Sequence, residues 1–187
     1  MFFKKMLVVV MLAVVLLPVL KTHAQDGGTA SEGLVTFGGH VTGSDNEFVA
    51  VGIGEDSATI YICDGQADKG TVTIAEWFSG PVVDNRIDIT SEAGHRVEVS
   101  ISGDAASGKF TFADGTVKEF ELELLEGRSA LYRSEFAFGD IRFVSGWLVL
   151  PDGSVRGATR NLVSGELTPA TFINFSDDPD GEIPTEG

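Results

Sequence analysis

One cysteine, two tryptophans, two tyrosines and 13 basic residues are all that this 187-residue chain holds of those types. A single thiol excludes an intramolecular disulfide, so stability has to come from an apolar core. Cys63 lies in Ile60-Tyr61-Ile62-Cys63, a strand-like run in which a free thiol is expected to be buried and inert. The scarcity of positive charge matters as much. Against 28 acidic residues it leaves a net charge of −15. Lys4, Lys5 and Lys21 fall in the first 24 residues, which hold no acidic residue, so the remainder carries a net charge of about −18. Such a surface repels phosphate backbones and anionic headgroups, which argues against nucleic-acid and membrane-surface partners.

Long hydrophobic runs are also missing, with one exception. Leu7 to Leu20 is apolar for about 14 residues, short of the roughly 20 that span a bilayer. It follows the positive Lys4-Lys5 pair and precedes Thr22-His23-Ala24, whose small residues suit cleavage before Gln25. Residues 1–24 therefore read as a signal peptide and the protein as exported, either secreted or held in the periplasm or cell envelope. Residues 25–33 are small and polar, as a flexible linker would be. Residues 170–187 end in SDDPDGEIPTEG, an acidic tail rich in Pro and Gly. One domain, residues 34–169, lies between them.

That domain lacks helical periodicity and has alternation of period two instead, broken by turn residues every 8 to 12 positions. Val97, Val99 and Ile101 oppose Arg96, Glu98 and Ser100. Phe120, Leu122 and Leu124 oppose Glu119, Glu121 and Glu123, so one face is buried and the other wet. Asp114-Gly115 suggests a two-residue hairpin, and the uneven step from Val117 to Phe120 suggests a bulge or a strand entering late. Further strands are expected over Glu47–Ile53, Ala58–Cys63, Thr73–Phe78, Arg86–Thr90, Ala130–Phe138, Ile141–Leu150 and Ser154–Thr159. Nine to ten short strands with tight connections predict an all-β antiparallel meander, closed or strongly curled into a barrel, with a β-sandwich as the alternative.

Catalytic patterns are incomplete. Gly103 to Phe110 (GDAASGKF) matches a phosphate-binding loop except at Phe110, where a hydroxyl should hold magnesium. Alternating strands flank it, so it reads as a hairpin tip bracketed by Gly103 and Gly108. Ser176, Asp178, Asp180 and Gly181 imitate a calcium loop, but its first ligand is Ser and its twelfth position is Gly187. Gly52-Ile53-Gly54 reaches Ser57 where a dinucleotide fingerprint needs glycine. His40 and His95 lack metal-ligand spacing, and no G-x-S-x-G elbow occurs. No cofactor or metal follows, and the chain reads as a non-enzyme. A hydrolase built on a carboxylate pair such as Glu76 with Asp64 ranks third.

The aromatics then carry the functional reading. Trp77 in Glu76-Trp77-Phe78 offers a contact platform if it faces outward. Arg133 and Arg156 read as ion-pair partners in so acidic a chain. Tyr61-Ile62-Cys63-Asp64-Gly65, Glu76-Trp77-Phe78-Ser79-Gly80, Leu131-Tyr132-Arg133 and Gly146-Trp147 through Arg156-Gly157 form a series with its own spacing. It resembles a bacterial extracytoplasmic all-β module that is also attached to receptor-like kinases of actinobacteria. The resemblance spans about Phe48 to Ala158 and implies an exported β domain, and it carries no catalytic residue with it. The expected function is a monomeric or weakly associating binding module acting on a protein or small molecule outside the cytoplasm. Its contact candidates are Tyr61, Asp64, Glu76, Trp77, Tyr132, Arg133 and Trp147. The alternative is a small-ligand barrel with Tyr61, Trp77, Tyr132 and Trp147 lining its cavity.

Overall fold

The computed structural model describes residues 35–127 and 129–170. The segments read above as signal peptide and linker, and residues 171–187 with their calcium-loop imitation, lie outside the described residues. Twelve strands, and no helix, occur among them. The first eight are β1 (Val35–His40), β2 (Phe48–Ile53), β3 (Ser57–Cys63), β4 (Ala75–Pro81), β5 (Arg86–Thr90), β6 (Arg96–Ser102), β7 (Ala105–Thr111) and β8 (Val117–Leu124). They form one antiparallel sheet in which sequence neighbours pair, and β1 also pairs with β8 through Phe37↔Leu124 and Gly38↔Glu123. The sheet curls into a barrel that is open only between β4 and β5.

Alternation explains the curl. Phe37, Val49, Val51, Ile60, Phe78, Val97, Phe110, Phe120 and Leu122 point inward and pack into one buried cluster. Each such side chain taken fully from water contributes about 1.5–3 kcal/mol. This filled interior supplies the stability that a chain with one cysteine cannot take from an intramolecular disulfide. The outward positions of β5 to β7 carry charge, with Arg96 between Asp88 (2.6 Å) and Glu98 (3.2 Å), and Lys109 on Glu98 (3.0 Å).

The gap has a local origin. Asp84 and Asn85 both take positive φ (50° and 59°), and Val83 and Arg86 exchange backbone hydrogen bonds of 2.9 Å across this turn. Beyond it β4 and β5 splay, and the Ile89 side chain fills the space over Gly80. At the far end of β4 the Ile74 carbonyl accepts from the Asp64 N–H (3.2 Å), which turns the next carbonyl, Ala75, toward the open edge. There the Arg160 guanidinium donates to it at 2.7 Å.

Several expectations are corrected. The barrel is an eight-stranded meander, and the strands after Leu124 do not continue it. They are β9 (Leu131–Phe138), β10 (Ile141–Val149), β11 (Val155–Asn161) and β12 (Leu167–Pro169), a separate sheet in the order β12-β11-β10-β9. Eight strands already enclose an interior that side chains can fill, so a ninth has no place. β8 contains no bulge, because its pairing with β7 is continuous from Ala105↔Glu123 to Thr111↔Val117. Lys118 simply takes an inward position at the rim, where it pairs with Glu47. The Asp114-Gly115 turn is a three-residue loop, Ala113 to Gly115, closed by the Phe112 N–H donating to the Thr116 carbonyl (2.8 Å). In GDAASGKF the turn is Gly103-Asp104 alone, with Gly103 at φ 59°. Gly108 lies mid-strand beneath the Phe120 ring, and Ala106, not Phe110, is the first buried residue of the returning strand.

The second sheet lies against the outer wall of β2 to β4. Phe48 and Ala50 meet Leu125, Leu148 and Leu150 on one side of this contact. Tyr61, Cys63 and Ala75 meet Ala158 on the other. The sandwich expected as the alternative therefore survives as a two-layer flank on a barrel.

Candidate functional site

Tyr61 on β3 and Trp77 on β4 are register partners, and both point away from the barrel interior. Their rings stack at 4.3 Å and 27°. A Cβ placed on Gly146 of β10 would stand 2.5 Å from Trp77 and 2.7 Å from Tyr61, so the aromatic pair rests directly on β10 backbone. Gly65 and Gly157 meet in the same way, with the Gly157 N–H donating to the Gly65 carbonyl at 3.2 Å. The Tyr61 hydroxyl accepts from the Ala158 N–H at 3.1 Å. Burial first, then the neighbouring Cys63, holds its phenol well above the usual tyrosine range. The residues that looked like an aromatic contact platform are the contact layer between barrel and sheet.

Each remaining candidate has a place of its own. Asp64 accepts from Thr73 N–H (2.7 Å), Ile74 N–H (2.9 Å) and the Thr73 hydroxyl (2.5 Å), closing the loop that leads into β4. Glu76 pairs with Arg160 at 2.8 Å. The two carboxylates thus serve different partners. Arg133 lies over the Trp77 ring at 5.3 Å and pairs with Glu135. Trp147 lies opposite Tyr132 in register, on the face of β10 turned away from Gly146, where its ring covers Gly157. Its indole N–H has no hydrogen-bond partner among the described residues. Arg156 is stacked over Phe48 at 5.3 Å, so it serves packing instead of the expected ion pair. The cavity-lining arrangement imagined for a ligand barrel is absent for Tyr61 and Trp77, which sit on the outer wall of a filled barrel.

Burial pushes the Cys63 thiol up to about 11, outweighing the Gly65 N–H that its sulfur accepts at 3.0 Å. No group of three or more His, Cys, Asp or Glu able to hold a metal occurs among the described residues. An open groove of about 650 Å³ runs along the outer face of β5 to β8, lined by Arg86, Asp88, Glu98, Lys109, Glu119 and Glu121 among others. Its charges are already paired in part, as described for Arg96, Glu98 and Lys109.

Sequence reasoning missed a surface at one end of the second sheet. Phe138 and Ile141 face each other across the β9–β10 turn, and Phe136 stacks on Phe143 at 5.0 Å. The Leu162 N–H donates to the Arg142 carbonyl at 2.7 Å, which brings the β11–β12 loop beside them. Phe136, Phe138, Ile141, Leu162 and Val163 are all exposed, Phe138 by 81% and Val163 by 71%. Alternation in Phe136-Ala137-Phe138 was visible in sequence, but exposure on the wet side of a two-layer flank was not.

Fold and site together define an eight-stranded meander barrel with a four-stranded sheet bonded to its flank and an apolar tip on that sheet. Compared with protein-family models, with curated proteins and with solved structures, the chain matches none.

Proposed function

We propose that this chain is an exported, non-enzymatic binding module of the cell envelope or extracellular space, and that it docks through the apolar tip of its second sheet. The observation that carries the reading is the cluster of Phe136, Phe138, Ile141, Leu162 and Val163, exposed together at one end of the molecule. Leaving such side chains in water forgoes about 1.5–3 kcal/mol each relative to burial. A contiguous patch of this kind on an otherwise strongly acidic surface marks a contact site. The filled barrel favours docking over enclosure of a small ligand. The resemblance to extracytoplasmic β modules points the same way.

The test is capture from the native cell envelope by the full chain, released from an export-competent host, compared with Phe138→Ser combined with Val163→Ser. The wild-type chain is expected to retain an envelope component that the double variant, with an unchanged melting temperature, does not. Equal retention by both, or by a charge-matched acidic control, overturns the reading.

A further inference from the structure

Strand β9, LYRSEFAF, pairs with β10 on one side and forms an edge of the second sheet on the other. The Val149 N–H donates to the Ala130 carbonyl at 3.0 Å, one step before the Leu131↔Leu148 pair. In an antiparallel ladder this fixes the phase. Even-numbered residues of β9 turn their N–H and C=O groups toward β10, and Leu131, Arg133, Glu135 and Ala137 turn theirs outward. From Glu135 to Phe138 every side chain of this edge is exposed. Long exposed edges of this kind invite another strand.

The side chains specify which strand. Read outward from Ser134, the sequence is complementary to itself, with Arg133 against Glu135, Tyr132 against Phe136 and Leu131 against Ala137. We propose that β9 pairs antiparallel with β9 of a second copy, with Ser134 on the two-fold axis, joining two four-stranded sheets into one of eight strands. In this register the outward backbone groups of Arg133 meet those of Glu135 from the second copy, and Leu131 those of Ala137, so each residue exchanges both bonds with the residue opposite. Arg133 and Glu135 occupy the same face of β9 and are paired within one copy, with side chains 47% and 43% exposed. Across the axis the same two charges meet twice more.

Neighbouring registers are disfavoured. A pairing centred on Arg133 places the two Arg133 guanidinium groups opposite each other, and one centred on Glu135 places two carboxylates together. Like charges directly opposite destabilise a ladder, whereas opposite charges support it. A centre on Tyr132 or Phe136 leaves Arg133 and Glu135 without each other. The edge therefore carries its own register code, as an isologous two-fold contact requires. This association shares Phe136 with the docking tip, but not Phe138 or Val163, the two residues changed in the capture test. Loss of envelope capture leaves it standing, and a monomeric protein leaves the docking reading standing.

The test uses the full chain as released by an export-competent host. Sedimentation equilibrium should show a monomer–dimer equilibrium in place of the monomer that the sequence suggests. In the dimer Ser134 faces itself in a non-hydrogen-bonded pair, where Cα atoms are about 4.5 Å apart, within disulfide reach. Ser134→Cys should therefore give a covalent dimer on mild oxidation. Arg133→Cys should not, because each copy's residue 133 faces residue 135. The buried Cys63 does not compete. Arg133→Glu and Glu135→Arg should each weaken the dimer by about tenfold or more, and the two together should restore it. Far-UV circular dichroism and melting temperature establish that each variant is folded. A protein that stays monomeric at every concentration overturns the proposal. So does equal cross-linking of both cysteine variants, or a folded double variant that fails to recover association.

Discussion

Gly146 shows how much of this molecule is decided by the smallest side chain. The Tyr61–Trp77 stack needs the β10 backbone at van der Waals distance, and a methyl group there would stand 2.5 Å from Trp77. Both rings belong to rigid strands, so neither has room to withdraw cheaply. Gly146→Ala should lower unfolding free energy by about 1–3 kcal/mol, the usual cost of overpacking. Urea denaturation measures the loss, and a reduced near-ultraviolet dichroic signal from Trp77 should accompany it. In the sequence Gly146-Trp147 drew notice for its tryptophan. The glycine carries the contact, because a close approach between distant strands leaves no periodic trace. Tyr61, Asp64, Trp77 and Arg133 drew notice in the sequence as contact candidates, and the partners the structure gives them lie within the chain. The notable spacing in sequence reflects the joint between two layers.

Among the elements, β4 depends most on a partner outside its own sheet. It pairs with β3 alone, and its free edge is held by Arg160 from β11, which bonds the Ala75 carbonyl and the Glu76 carboxylate together. Both ionic side chains are mostly buried, at 30% and 22% exposure, so this contact is less screened than the Arg96–Asp88 pair on the barrel, at 45% and 57%. Arg160→Ala should cost about 1–3 kcal/mol, since a buried carboxylate loses its charged donor. Hydrogen exchange at Ala75 to Phe78 should quicken relative to β6 and β7, and equal protection of both regions would contradict the role given to Arg160. The strands of the central hairpins were legible because alternation and turn residues agree there. β1 was not, since Gly38-Gly39 interrupts its alternation, and β12 is three residues long. The phase of β8 was legible from Phe120 onward, and only its start looked irregular, because Lys118 takes an inward position at a barrel rim, where its amine reaches Glu47.

For the whole molecule, charge sets the response to solvent. A net charge of −15 over the chain repels itself in the compact state, and the exposed ion pairs are each worth little. Screening of the general repulsion should outweigh screening of the pairs. Added sodium chloride at neutral pH is therefore expected to raise the melting temperature by several degrees, read by scanning calorimetry; a fall would show that the pairs dominate. The class of fold was visible in the sequence as period-two alternation with short loops. The partition into a nearly closed barrel and a flanking sheet was not, because strands in both parts repeat the same signal. What ends the barrel is geometric closure after β8, and geometry of that kind is a property of the assembled sheet.

The seam between β1 and β8 bears on how the chain reaches its native state. Every other ladder in the barrel joins strands adjacent in sequence, whereas Phe37 and Leu124 are separated by most of the domain. Hairpins such as β6–β7 can zip locally, but the seam must bear the loop-closure entropy of the whole meander. Until it shuts, both β1 and β8 remain open to wrong partners. The Glu119, Glu121 and Glu123 side chains on the outward face of β8 then act as guards, keeping one unsealed barrel from stitching itself to the next.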